Sequence, residues 1–167
     1  MCIRDSSRGG GTALLTSWQW NFQSALGKVC TWASICDIGR RFPSGTELQE
    51  WKKSGVRLVK NGRTLQNLPQ QYGLYTHFLN NRAKLDIQNA AKFIGHKLHV
   101  FHGDKDLAVP LSEAYELAAA SGTQVTEIKD ADHVFGASHP WDEQQMPVHL
   151  LELCSLTLEK IRHKKSQ

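Results

Sequence analysis

The sequence predicts an α/β protein: a parallel sheet covered by helices, interrupted by a cap that contains a hairpin. Three observations carry this. Short, nearly continuous apolar runs at residues 29–35 (VCTWASI) and 97–101 (KLHVF) have the composition of buried strands, and 125–129 reads as a third strand. Helix-period stretches stand between and around them, and that alternation calls for a parallel sheet with covering helices. The stretch 37–94 is too long for a crossover connection and reads as a cap or lid insertion.

The elements follow in order. Residues 12–22 read as a helix, with Ala13, Leu14, Ser17, Trp18 and Asn21 at helical spacing after Gly11. The run 29–35 is the first strand of this reading. Gly39, Pro43, Ser44 and Gly45 break the chain into a loop, and Ser44 or Thr46 caps a helix that runs to about Lys53. Asn61-Gly62 between two strand-like runs in 55–68 signals a hairpin, because both residues tolerate positive φ. Residues 74–94 read as helix in two pieces, broken near Asn80-Asn81. The strand 97–101, a helix over 111–120 and the strand 125–129 follow. A terminal helix over 143–162 carries Val148, Leu151, Cys154 and Leu158 at helical spacing, and Pro147 is tolerable only near its start. The tryptophans Trp18, Trp20, Trp32 and Trp51 are read as core or cap packing.

Composition bounds the function classes. The chain has 167 residues, 40% apolar and 22% charged, which excludes disordered and collagen-like classes. A net charge of +4, with scattered basic residues, gives no argument for nucleic acid. The basic run Lys160, Arg162, His163, Lys164, Lys165 reads as a solvated tail. No apolar run approaches the roughly 18 residues of a membrane span. Cys2, Cys30, Cys36 and Cys154 form no CxxC pair, so they read as reduced thiols in a cytoplasm-like compartment rather than a disulfide or zinc framework. His99 and His102 stand three apart in a strand and so point differently, which argues against a metal site. The triple glycine lacks the Lys-Ser/Thr of a phosphate loop.

Residues 1–6, MCIRDS, resemble a translated adapter tail. They are set aside as a sequence scar outside the fold, leaving 7–36 and 95–167 as core and 37–94 as cap.

In open parallel sheets, ligands bind beyond the carboxyl ends of the strands. Ser7-Arg8-Gly9-Gly10-Gly11 stands before the first helix. Asp104 and Asp106 follow the strand 97–101, and Asp130, Asp132 and His133 follow 125–129. A serine, an aspartate and a histidine thus fall in that order near strand ends. From Ser7 to about residue 162 the sequence resembles an α/β-hydrolase, most closely the dienelactone hydrolases and acyl-peptidase-like serine hydrolases. Ser7-Arg8-Gly9 matches the second half of the Gly-x-Ser-x-Gly elbow, with Asp5 where the first Gly would stand. The run GDKDLAVP resembles the acid loop and DADHVFGASHPW the histidine loop.

The resemblance implies a serine hydrolase that cleaves an ester, thioester or related acyl bond of a small molecule through a seryl-acyl intermediate, without a cofactor. Ser7 would be the nucleophile, His133 the base and Asp106 the residue that orients it. The Gly-x-x-Asp-x-x-Val-Pro spacing selects Asp106 over Asp104, and Asp37 is a weaker rival. Asp130 and Asp132 read as loop caps, and His139 as a residue that shapes the loop with Pro140 and Trp141. The Arg8 N–H would supply half of an oxyanion hole. The other half normally follows a strand not found in this sequence. The chain is therefore expected to be the C-terminal portion of a longer protein, inactive alone, poorly soluble and open along one edge of the 29–35 strand. Arg40 and Arg41 read either as a solvated pair or as a grip on a substrate anion. Two rivals stand beside the hydrolase: a binding or scaffold module of the same fold, and another enzyme on that frame such as a peptidase, transferase or dehalogenase.

Overall fold

A computed structural model describes residues 2–20, 26–61, 65–138 and 140–162. Gly62, His139 and the basic run beyond Arg162 lie outside the described residues.

The chain starts with a strand. β1 (Cys2–Ser6) runs directly into α1 (Ser7–Gln19), and β2 (Lys28–Trp32) lies parallel beside β1, with Cys2 opposite Lys28 and Ser6 opposite Trp32. Residues 2–6, within the stretch set aside above, therefore contribute to the fold. Ladder pairing needs only an extended backbone beside an unpaired strand edge. The edge of β2 expected to be open is covered, and the outer edge of the sheet passes to β1.

The cap follows. A 3₁₀ turn at Gly39–Arg41 leads into α2 (Gly45–Ser54), whose C-terminus is closed by Gly55 at φ 75°. Strands β3 (Val56–Lys60) and β4 (Asn67–Gln71) form the expected hairpin, antiparallel from Val56↔Gln71 to Lys60↔Asn67. Its connection is wider than the two-residue turn implied by Asn61-Gly62. The Asn61 N–H donates to Gln66 O at 2.8 Å, and the Leu65 N–H to Asn61 O at 2.9 Å. Next come α3 (Gly73–Asn80), a 3₁₀ turn at Arg82–Leu85 and α4 (Ile87–Ile94), so the break at Asn80-Asn81 falls where expected. Asp86 caps α4 by accepting the Asn89 N–H at 2.9 Å.

An aromatic cluster gives the cap its own core. The Phe42 ring lies 6.1 Å from Trp51, 5.1 Å from Tyr75 and 5.1 Å from Phe78, and Tyr72 meets Trp51 at 5.4 Å. Buried Trp51 donates its indole N–H to Gln70 O at 2.9 Å, which ties α2 to the hairpin. The cap was expected to extend to residue 94, but α4 belongs to the main core. Ile87, Ala90, Ala91 and Ile94 form one buried stripe at i, i+3, i+4, i+7.

The remaining elements are β5 (Leu98–Gly103), α5 (Leu111–Ser121), β6 (Val125–Ile128) and α6 (Val148–Arg162). The sheet order is β1-β2-β5-β6, all parallel. Side chains alternate between its two faces with the period of two that strands impose. Val29, Leu98 and Val100 pack under α1, α4 and α5, while Cys30, Trp32, Phe101 and Ile128 pack under α6. Two-sided burial explains why β2 and β5 read as continuous apolar runs.

The last helix differs from expectation in start and face. It begins at Val148, just after Pro147, and buries Leu153 and Thr157. Of the apolar positions read at helical spacing, Val148, Leu151 and Leu158 are 77%, 56% and 47% exposed, while Cys154 packs against the core. Apolar residues occur on more than one face of this helix, and a tertiary contact selects between them: Trp32 Nε1 donates to Thr157 Oγ1 at 2.9 Å.

Candidate active site

Strand β1 turns into α1 with no intervening residue, and Ser7 occupies the corner at φ 52°. A non-glycine residue in the left-handed region is strained, and such strain clusters at functional sites. Tight packing behind the corner holds it. A Cβ on Gly10 would lie 2.5 Å from Ser34 Oγ and 2.7 Å from Ser34 Cβ, and one on Gly9 would collide with the Asp5 carboxylate. The glycines after Ser7 thus let α1 start against β1 and the loop after β2. Asp5 also accepts the Ser6 N–H at 2.7 Å.

The other two residues come from loops after neighbouring strands. These loops are stitched together: Asp104 N–H donates to Ile128 O at 3.2 Å and Lys105 N–H to Ala131 O at 3.0 Å. Gly103 has no Cβ to block the Ala131 carbonyl. In the loop after β6, Asp132 Oδ1 accepts the N–H groups of Val134 at 3.1 Å and Gly136 at 2.9 Å, and Phe135 is buried against Trp32. His133 is held between these anchors. Its Nε2 lies 3.1 Å from Ser7 Oγ and its Nδ1 2.7 Å from Asp106 Oδ2. The structure therefore joins Ser7, His133 and Asp106 in one hydrogen-bonded chain.

Asp106 accepts more than His133. Its Oδ1 takes the N–H groups of Ala108 at 2.8 Å and Val109 at 2.9 Å, and His102 Nε2 lies 3.2 Å from Oδ2. Burial pushes the carboxyl pKa up. The hydrogen bonds from His102, His133 and the Val109 amide outweigh it, so Asp106 is held well below the usual carboxylate range. It is ionised at neutral pH, so both of its oxygens accept, Oδ2 from the His133 Nδ1–H.

The chain matches no protein-family model and no curated protein. Solved structures do match. The esterase domain of a Rhodothermus marinus protein superposes at TM-score 0.57 with 19% identity, over 82% of this chain and 54% of that one. A protein of Agrobacterium vitis assigned as a hydrolase gives 0.66 and 15%, over 96% and 61%. The monoacylglycerol lipase of Paleococcus ferrophilus gives 0.64 and 14%, over 98% and 68%. The chain has part of the α/β-hydrolase fold. It spans 54–68% of the length of these three structures.

Within this α/β-hydrolase fold the hairpin of the cap overhangs the serine. A cleft of about 1390 Å³ is lined by Ser7 and His133 on one side and by Lys60, Leu68 and Gln70 of the hairpin on the other. A smaller cavity of about 200 Å³ adjoins it, sharing Arg8, Gln70 and Leu74 and walled by Ile35, Ile38, Phe42 and Ile87. Arg8 occupies the first turn of α1, where backbone N–H groups have no acceptor within the helix.

The two arginines considered as substrate ligands are paired with α5. Arg40 forms a two-pronged bond to Glu116 at 2.8 and 2.7 Å and does not line the Ser7 cleft. Arg41 pairs with buried Glu113, although it also lines the smaller cavity. Sequence spacing could not reveal these partners, which lie more than 70 positions away. The rival acids are placed elsewhere: Asp37 accepts the Gly39 N–H at 2.6 Å, and Asp104 makes no bond to His133. Cys36, buried beside the cap, has its thiol pushed up to about 12, first by burial and then by the Glu113 charge, so it is no nucleophile at neutral pH. His102, considered in the sequence only as a metal ligand, was missed as a partner of Asp106. Its i, i+4 spacing to that aspartate at a strand end was the available signal.

Proposed function

We propose that this chain carries the catalytic triad of a serine hydrolase acting on an ester, thioester or related acyl bond of a small molecule. The observation that supports this most is the relay from Ser7 Oγ through His133 to Asp106, at 3.1 and 2.7 Å. A serine hydroxyl is a weak nucleophile until a base takes its proton. His133 Nε2 takes it as Ser7 Oγ attacks the acyl carbon, and Asp106 stabilises the imidazolium through Nδ1–H. The Arg8 N–H, at the positive end of α1, donates to the carbonyl oxygen as it becomes an oxyanion; such a donor is worth about 3 kcal/mol. Collapse breaks the bond to the leaving group, which takes the proton from His133, and leaves an acyl ester on Ser7. Water then attacks that ester, giving a proton to His133, which passes it to Ser7 Oγ as the bond to the acid product breaks. The reaction draws on no cofactor.

The apolar cavity beside Arg8 suits the acyl group, since burying each CH₂ stabilises binding by about 0.8 kcal/mol. The rival reading, a binding module on the same frame, draws on Asp5 standing where the hydrolase elbow has its first glycine. Acylation separates the two. With the Arg8 N–H as its one oxyanion donor among the described residues, the chain is expected to acylate slowly: incubation with p-nitrophenyl butyrate releases one equivalent of nitrophenolate and leaves a butyryl adduct on Ser7, and Ser7→Ala abolishes both. Binding of the ester with no adduct would favour the module.

A further inference from the structure

His102 takes no part in the proton transfers above, yet it touches the same carboxylate. It stands near the end of β5 and is 0% exposed. Its Nε2 lies 2.8 Å from Val109 O and 3.2 Å from Asp106 Oδ2. A carbonyl oxygen only accepts, so the proton is on Nε2. Nδ1 is buried with no hydrogen-bond partner among the described residues, and a proton there would be an unsatisfied buried donor. A neutral ring with its proton on Nε2 meets both conditions.

That single N–H is shared between the Val109 carbonyl and Asp106. Oδ2 also receives His133 Nδ1–H at 2.7 Å, while Oδ1 receives two amides. Four donors therefore meet the roughly four lone-pair sites of the carboxylate. Resting on the serine-hydrolase reading, we infer that His102 is a positioning residue of the relay: its Nε2–H locks the plane of the Asp106 carboxylate and tempers the pull of Oδ2 on His133. Among the described residues, the titratable groups that meet Asp106 are His102 from β5 and His133 from the loop after β6; Asp104 and Lys105 precede it in its own loop.

Loss of the His102 donor has two consequences. The carboxylate is free to tilt, which misaligns His133 toward Ser7. Its undivided charge also stabilises the His133 imidazolium more strongly, so a higher pH is needed to free the base.

The test is the rate at which a fluorophosphonate modifies Ser7, followed by mass spectrometry from pH 5 to 9. In His102→Phe the plateau rate is expected to fall about tenfold, the size of a lost hydrogen bond to a charged group. The acid limb is expected to move to higher pH. His102→Gln, which offers an N–H near the Nε2 position, is expected to restore both. An unchanged rate and profile in His102→Phe overturns the inference and leaves the hydrolase reading intact. An unmodified Ser7 in the wild-type chain overturns that reading and this inference with it. Should His102→Phe fail to fold, the imidazole ¹H–¹⁵N spectrum of the wild-type chain at pH 7.5 decides: a His102 proton on Nε2 supports the inference, and one on Nδ1 overturns it.

Discussion

Asp106 Oδ2 lies 2.7 Å from His133 Nδ1, and the two residues belong to loops that follow neighbouring parallel strands. Parallel pairing of β5 with β6 sends both chain ends out on the same side of the sheet. β1 delivers Ser7 on that side too, two strands away, and His133 spans the distance. The site is thus a product of topology, and its parts respond to different perturbations.

Acid should act through Asp106. Its folded-state pKa is lowered, so its ionised form adds stability above the ordinary carboxylate pKa of about 3.9, and that stability is lost as pH falls below it. The Tm is expected to drop below about pH 4, and the gap between wild type and Asp106→Asn to narrow as it does. A gap constant from pH 7 to pH 3 would contradict this.

One buried bond helps to seat α6 beside the packing of Leu153. Thr157→Val keeps the shape but removes the acceptor for Trp32 Nε1, and is expected to destabilise the chain by about 1–3 kcal/mol in urea denaturation. Leu151→Ala, on the exposed side, is expected to change stability by less than about 0.5 kcal/mol. The reverse ranking would mean that the helix packs on its other face.

The Ser7 corner depends on close approach. Gly10→Ala puts a methyl group into Ser34 and is expected to destabilise by about 1–3 kcal/mol, with loss of Ser7 reactivity. Ser34→Gly removes the obstructing atoms and should recover much of both in the double variant. Equal damage with and without Ser34→Gly would place the strain elsewhere.

The cap should loosen separately from the sheet. Trp51→Ala removes the centre of the aromatic cluster and the bond to Gln70 O. Amides of β3 and β4 are expected to lose hydrogen-exchange protection while those of β2 and β5 keep theirs. Uniform loss across the chain would show one cooperative unit.

Much of this was legible in the sequence, for identifiable reasons. Buried parallel strands write themselves as unbroken apolar runs, so Val29, Cys30, Val100 and Phe101 were readable as core. The Ser, Asp and His positions were readable because ligand sites follow strand ends and because their motifs resemble known loops. Other features depend on contacts that spacing does not encode. The helix expected from residue 12 starts at Ser7, since three glycines of low helix propensity are held helical by packing on Asp5, Ser34 and Ile87. The buried face of α6 is chosen by Trp32, and the roles of Arg40 and Arg41 by Glu116 and Glu113. His102 was hidden because its role exists only once β5 turns its loop back over it.

The relay itself is best tested by comparing fluorophosphonate modification in the wild-type chain, Ser7→Ala and His133→Ala at pH 8. A single adduct on Ser7, absent from Ser7→Ala and formed at least about 100-fold more slowly in His133→Ala, is the expected result. An adduct that persists in Ser7→Ala, or a rate indifferent to His133→Ala, would show that the 3.1 Å contact between Ser7 and His133 does not activate the serine.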